Sequence, residues 1–327
     1  MKMFVYSMRE YDELMFYKTF ANKYNIEFDY TTDYPTLENY HLAKGFDAIS
    51  IITTATDSNM IDYMKEQGVK VIATRTIGYD HIDVDYKKKV GMGLTHVSYE
   101  PASVADYAIM LMLLGCRKMK FIMNTAAVQD FTLQGKLGVE ISKSTVGVIG
   151  TGRIGKTVVK HLQGFGCRVL AYDIYPSDDL DGLAQYVDLE TMYRECDILT
   201  LHAPATDDNY HLFNDESFGK MKDGVMIINC ARGTLIDTSS LIRNLNSGKI
   251  GFAAVDVLEN ETGLYYLNKS GEIIDNPEMA VLKTYQNVIV SPHTAFYTEE
   301  AVSNMVEYSI TGALAYLNGQ ESQFIIS

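Results

Sequence analysis

The 327-residue chain is poor in cysteine, in basic side chains and in long apolar runs. Its four cysteines, Cys116, Cys167, Cys196 and Cys230, form no CxxC pair, and each stands among apolar or small residues. That scatter argues against a disulfide framework and lacks the spacing of a zinc site, so no metal is expected. The four read as small buried hydrophobes in a reducing compartment. Lysine and arginine number 28 against 42 acidic residues, a formal charge of -14. Such a surface repels a phosphate backbone and argues against a nucleic-acid partner. The N-terminal MKMFVYSMREYDE turns acidic before a signal-peptide core can form. The most apolar helical run, AIMLMLLGC at 108–116, falls well short of the ~20 residues that cross a bilayer. A cytoplasmic protein without a membrane partner is expected. Tandem repeats and low-complexity tracts are also missing.

What is present is an ordinary globular composition, 47% hydrophobic and 21% charged, in a chain long enough for two domains. The first hundred residues alternate strand-like segments (MFVYS at 3–7, EFDY at 27–30, AISII at 48–52, KVIATR at 70–75, LTHV at 94–97) with helical patterns near 10–24, 57–67 and 83–90. Glu100-Pro101 marks a break, because proline disfavours helix in the residue before it. One long helix is expected over 103–128. Strands are then expected at 145–149, 168–172, 197–201, 225–229, 252–256 and 287–290, with helices between most of them. Two such runs predict an α/β protein of two domains, each a doubly wound parallel sheet covered on both faces. The tail from about 299 has helical spacing at Ala301, Met305, Tyr308 and Leu314. Its pattern alone does not say which domain it packs on.

The stretch TVGVIGTGRIGKTV, 145–158, sets Gly150, Gly152 and Gly155 between a buried-strand pattern and a helix. Such a turn aims free N–H groups and the positive end of a helix dipole at an anion. A glycine triplet alone is equally compatible with a structural tight turn. Here a second strand, RVLAYD, ends on Asp173, 18 residues past Gly155. A carboxylate there accepts hydrogen bonds from both ribose hydroxyls of an adenosine. It would repel a 2′-phosphate, and DIYPSDDLD offers no arginine to offset it. NAD is therefore expected rather than NADP.

In the second run, MIINCARGTLID gives a strand and then Arg232, GFAAVDVLENETG a strand ending at Asp256 and then Glu261, and VIVSPHTAFYT a strand and then His293. Carboxyl ends of parallel strands are where ligands bind. An arginine grips a carboxylate with two parallel hydrogen bonds. A histidine donates a proton to a carbonyl oxygen as hydride arrives, and recovers it in reverse. A glutamate bonded to the imidazole orients the ring and stabilises its charge. Each residue also has a structural reading: Arg232 as a surface ion-pair partner, Glu261 as a solvated loop acid, His293 as a packed loop residue.

The segments VGVIGTGRIG, LHAP, NCARGTLID, AAVDVLENETG and SPHTAFYT resemble, in order and over nearly the whole chain, the D-2-hydroxyacid dehydrogenases. The resemblance is nearest to the D-lactate dehydrogenase branch, including the vancomycin-resistance type. It implies a flavodoxin-like substrate domain, residues 1–99 plus 299–327, and a Rossmann NAD-binding domain, residues 100–298, with the active site in the cleft. It also implies Arg232 as carboxylate binder, Glu261 as the partner of the histidine and His293 as acid/base. Cofactor contacts are implied at Gly150, Gly152, Arg153, Ile154, Gly155, Asp173, Ala203, Pro204, Asn209, Cys230, Ala231 and Asp256. On the substrate side, backbone N–H groups of Ile77, Gly78 and Tyr79 would face the substrate carboxylate. In relatives strict for lactate a tyrosine closes the pocket over the substrate's side chain, and Ile52 falls at that place. Room for a larger side chain would then open among Phe296, Tyr297 and Met305, unless Tyr79 or Tyr99 fills it. Members are usually homodimers, joined through the cofactor domain and the long helix after residue 100. Two departures, HAP for the usual HVP and Ala231 for the usual serine or threonine, are conservative in size.

The expected activity is NAD-dependent reduction of a 2-oxo acid to the D-2-hydroxy acid, with pyruvate to D-lactate as the leading case. The alternatives are the same chemistry on larger 2-oxo acids such as 2-oxoisocaproate and phenylpyruvate, or a non-catalytic NAD-sensing regulator.

Overall fold

The computed structural model describes residues 1–261 and 263–327. In chain order the elements are β1 (Lys2–Val5), α1 (Leu14–Tyr24), β2 (Glu27–Tyr30), β3 (Ala48–Ile51), α2 (Ser58–Glu66), β4 (Val71–Thr74), α3 (Val84–Val90) and β5 (Gly93–Thr95). There follow α4 (Ala102–Cys116), α5 (Met119–Ala127), β6 (Thr145–Ile149), α6 (Arg153–Leu162), β7 (Arg168–Tyr172), β8 (Gln185–Tyr186), α7 (Leu189–Glu195) and β9 (Ile198–Leu201). The chain closes with α8 (Asp215–Lys220), β10 (Val225–Asn229), α9 (Thr238–Asn246), β11 (Ile250–Val255), α10 (Pro277–Thr284), β12 (Val288–Val290) and α11 (Glu299–Leu317). Many of the helices start on a side chain that accepts a backbone N–H, among them Asp57, Asp83, Asp188, Asn214, Asp237, Asn276 and Thr298. Contacts divide the chain into two compact units, Met1–Glu100 with Tyr297–Ser327, and Pro101–Phe296.

The first unit is a five-stranded parallel sheet in the order β2-β1-β3-β4-β5, the flavodoxin-like order. Its inner strands β3 and β4 are buried at every position, as strands covered on both faces must be. Helix α11 packs Val306, Ile310 and Ala313 onto Met3, Val5 and Tyr17, so the C-terminal helix completes the core of this unit. Beyond the end of β4, fully buried Arg75 meets fully buried Glu13 (Nε to Oε1, 3.1 Å) and donates to Ser50 Oγ and to the carbonyls of Tyr6 and Ser7. A buried pair of this kind is held by its complete set of partners, and removing one member costs about 3–5 kcal/mol.

The second unit is a seven-stranded parallel sheet in the order β12-β11-β10-β9-β6-β7-β8. Read from β8, six of its strands follow the dinucleotide-fold order 3-2-1-4-5-6, with the reversal between β6 and β9. The short β8 was not foreseen from the sequence.

The helix expected over 103–128 is two helices. The Cys116 carbonyl accepts from the Val139 N–H (2.8 Å) instead of continuing the helical ladder, and Lys118 turns left-handed (φ 51). Lys120 then caps the far side of the unit through the carbonyls of Tyr285 and Val288. Of the cysteines, Cys116 and Cys196 are buried, while Cys167 and Cys230 are only partly so. Among the described residues no cluster of side chains could hold a metal ion, and no helix is long and apolar enough to cross a membrane.

Candidate active site

Strand register assembles the second unit's polar residues. Asn229 pairs with Val255, and Val255 with Val290, so the chain leaves β10, β11 and β12 at one level of the sheet. Arg232, Asp256 and His293 follow within three residues of those ends, which places all three at the carboxyl edge.

After β10, Asn229 folds the turn on itself: its Oδ1 accepts from the Ala231 N–H (3.0 Å) and its Nδ2 donates to the Arg232 carbonyl (2.9 Å). Gly233 lies so close to the β11 loop that a Cβ would sit 2.2 Å from the Leu258 carbonyl carbon. The turn bearing Arg232 is thereby locked against the loop bearing Glu261. The Arg232 side chain is half-buried, and its Nη1 donates to the Ala231 carbonyl (2.8 Å).

After β11, fully buried Asp256 organises the loop that follows β12. Its carboxylate accepts from Ser291 Oγ (2.6 Å) and from the N–H groups of Thr294 (3.0 Å) and Ala295 (2.8 Å). Its carbonyl accepts from the His293 N–H (2.8 Å). Wrapping this carboxylate holds His293 in the left-handed region (φ 54), uncommon outside glycine and frequent at functional sites. The imidazole Nδ1 donates to Glu261 Oε1 (2.7 Å), both side chains about a quarter exposed (29% and 24%). Glu261 is fixed in turn, its Oε2 accepting from the Leu258 N–H (2.8 Å). A carboxylate only accepts, so Nδ1 carries the hydrogen and Nε2 is left for proton exchange. Nε2 makes no hydrogen bond among the described residues. Buried Phe296 stands edge-on to the ring, centroids 6.5 Å apart.

The glycine loop fills the reversal point between β6 and β9. Gly150 (φ 88) leaves no space for a Cβ, which would lie 2.5 Å from the Ala203 nitrogen, and one on Gly155 would lie 1.9 Å from the Gly150 oxygen. Both serve close packing within the protein. Gly152 differs: nothing lies within 4 Å of its Cβ position, and it stands exposed at the start of α6 ahead of Arg153 and Ile154. A missing side chain at an open helix N-terminus leaves room for a phosphate. Asp173 Oδ2 accepts from the Thr151 N–H (2.5 Å) and Oγ1 (3.1 Å), tying the acid to the loop. Tyr186 on β8 braces Thr151 Oγ1 at 2.9 Å. These residues fit a dinucleotide, the acid standing one strand over from the phosphate turn.

Other expected cofactor contacts are placed less directly. Asn209 spends its side-chain amide on its own loop, with Oδ1 accepting from Thr206 N–H and Nδ2 donating to the Pro204 carbonyl (both 2.8 Å). Ala203 is half-buried and Pro204 exposed, while Ala231 is buried. Burial pushes the Cys230 thiol well above its ordinary range, which removes it as a nucleophile. Burial also lowers His202 to about 4, so it is neutral at pH 7. Its Nε2 pairs with Thr200 Oγ1 (2.9 Å), and its buried Nδ1 has no partner among the described residues.

In the first unit, Ile77, Gly78 and Tyr79 follow β4 on a braced loop. Thr76 Oγ1 donates to the Gly78 carbonyl (2.6 Å) and His96 Nδ1 to the Ile77 carbonyl (3.1 Å), with Tyr79 edge-on to His96. Tyr99 is half-buried near the end of this stretch. Ile52 follows β3 with its side chain buried, just before left-handed Thr53 (φ 42). Sequence reasoning missed Asn229, Thr151 and Ser291, although a polar residue at the very end of a buried apolar strand is a usable signal for Asn229 and Ser291.

Residues 109–295 match the NAD binding domain of the D-isomer specific 2-hydroxyacid dehydrogenases. An aromatic 2-oxoacid reductase of Clostridium sporogenes is 44% identical over 313 residues, spanning 95% of this chain and 94% of that one. A D-lactate dehydrogenase of Treponema pallidum has a similar structure, with TM-score 0.91, 33% identity and complete coverage of both chains. A D-2-hydroxyisocaproate dehydrogenase structure gives TM-score 0.90 at 34% identity, covering 100% of this chain and 99% of the other. The chain belongs to the D-isomer specific 2-hydroxyacid dehydrogenase family and is an NAD-dependent oxidoreductase.

The acid beside the glycine loop makes cofactor choice testable. kcat/KM should favour NADH over NADPH, and Asp173→Ala should narrow that ratio by weakening use of NADH. Equal use of the two cofactors by the unmodified protein would remove this role from Asp173.

Proposed function

We propose that this chain reduces 2-oxo acids with bulky side chains, aromatic ones in particular, to the corresponding D-2-hydroxy acids. Ile52 carries the reading. By the resemblance to the D-2-hydroxyacid dehydrogenases it falls at the place where members strict for lactate close the pocket with a tyrosine, and an isoleucine lacks both the ring and the hydroxyl. The 44% identity to a reductase of aromatic 2-oxo acids supports the same choice.

In this reading bound NADH supplies a hydride. Gly152, Arg153 and Ile154 would hold its phosphates on a turn that Gly150 and Gly155 pack tightly, Asp173 its adenosine ribose, and Ala203, Pro204, Asn209, Cys230, Ala231 and Asp256 would border it. Arg232 grips the substrate carboxylate with paired hydrogen bonds, aided by the N–H groups of Ile77, Gly78 and Tyr79. His293 delivers a proton from Nε2 to the carbonyl oxygen as the carbonyl carbon is reduced. Glu261 holds the ring in one tautomer and stabilises the imidazolium. Phe296, Tyr99 and Ile52 bound the substrate's side chain. A second reading, pyruvate as preferred substrate, draws on the likeness to the Treponema pallidum D-lactate dehydrogenase.

We also infer a homodimer through the segment that contains α4, α5 and the chain after them. Phe131, Leu133 and Leu137 are 77%, 88% and 86% exposed there, with Met123 and Val128 nearby. A concentration of large apolar side chains in water marks a surface meant to be covered. Sedimentation should find a dimer that Leu133→Glu with Leu137→Glu converts to monomer. A monomeric unmodified protein would refute it.

Rates of NADH oxidation on pyruvate, 2-oxoisocaproate and phenylpyruvate decide between the substrate readings. Each methylene buried in the pocket contributes about 0.8 kcal/mol, so the larger acids should lead in kcat/KM by factors of several to a few tens. Ile52→Tyr should shift preference toward pyruvate. If pyruvate is by far the best and the substitution changes no ratio, the pocket assignment is wrong.

A further inference from the structure

The turn that begins at Glu261 does more than deliver that carboxylate to His293. The Leu264 N–H closes the turn on the Glu261 carbonyl (3.0 Å), and Tyr265 packs against the core of the second unit with its hydroxyl buried. With the turn anchored there, Tyr266 reaches His293. Its hydroxyl donates to the His293 carbonyl (2.8 Å). Its ring lies 6.3 Å from the imidazole and 6.4 Å, edge-on, from Phe296, so three rings border one another. Tyr266 itself sits at φ 65, which bulky side chains rarely adopt and which persists only where surrounding contacts enforce it.

His293 is thereby gripped at three points: its N–H by the Asp256 carbonyl, its Nδ1 by Glu261 and its carbonyl by Tyr266. The first two leave the carbonyl end of a left-handed residue unheld. Any swing of that peptide turns the Cα–Cβ bond and carries Nε2 off line, and proton transfer is sensitive to displacements of an ångström or less. We propose that Tyr266 is a positioning residue: its hydroxyl clamps the His293 peptide in its left-handed state and so aims Nε2 at the carbonyl oxygen being reduced. This rests on the oxo-acid reductase reading for its kinetic consequence. The clamp itself is a property of the protein alone.

The test compares the full-length protein with Tyr266→Phe, which keeps the ring and loses the hydroxyl, and with Tyr266→Leu. For phenylpyruvate reduction, Tyr266→Phe should lower kcat roughly 10-fold, with KM for the oxo acid, NADH affinity and Tm unchanged. Tyr266→Leu should lose more. In parallel, the imidazole proton signal of His293, identified by its absence in His293→Gln, should shift and broaden in Tyr266→Phe. Unchanged kcat with an unchanged imidazole signal overturns the proposal. So does a kcat loss that merely follows falling Tm and weaker NADH binding, the mark of a loop that only packs. Should the unmodified protein reduce none of the oxo acids, the functional reading falls, and the imidazole signal alone decides whether the clamp exists.

Discussion

A fully buried carboxylate, Asp256, is the constraint on which the candidate active site depends. Buried charge is tolerated only where its lone pairs are met, and here they are met by a hydroxyl and two backbone N–H groups from one short stretch, 291–295. The chain must wrap the carboxylate to supply them. That wrapping draws the His293 N–H onto the Asp256 carbonyl and sets His293 left-handed. The imidazole then stands where Glu261, five residues beyond Asp256 on the same loop, reaches Nδ1. None of this works unless β11 and β12 end level, as their register of Val255 against Val290 ensures.

Much of this was legible in the sequence, because parallel strands read as short apolar runs bounded by turn residues. Arg232, Asp256 and His293 each fall just past such a run, and parallel strands end at a common edge, so local pattern alone collects them there. What could not be read depends on contacts between distant segments. The break after Cys116 follows from a carbonyl captured by Val139, and helical spacing continues across it without interruption. The two-residue strand β8 is too short for any periodic signal, yet its Tyr186 braces the loop that holds Asp173. The docking of α11 onto the first sheet is invisible in its own spacing, since either domain would accept an apolar face. Tyr266 lies in the loop stretch GLYYL, 263–267, whose composition predicts nothing about a left-handed aromatic.

The division of labour follows the two sheets. The second unit carries the glycine loop, His293 with Glu261, and Arg232 on edges fixed by strand register and close backbone packing at Gly150, Gly155 and Gly233. The proposed determinant of substrate size, Ile52, belongs to the first unit and shares no element with that machinery. On the proposed reading, a change at Ile52 would alter the space available to a side chain without touching Arg232, Glu261 or His293.

The central claim is that the imidazole held by Glu261 and Asp256 is the proton donor. The direct measurement is kcat for 2-oxo acid reduction by His293→Ala, alongside NADH affinity by fluorescence and melting temperature. The account predicts a fall in kcat of about 10²–10⁴-fold, the usual cost of losing a general acid, with NADH still bound and the fold intact. Near-normal turnover by a folded, NADH-binding His293→Ala protein would contradict it.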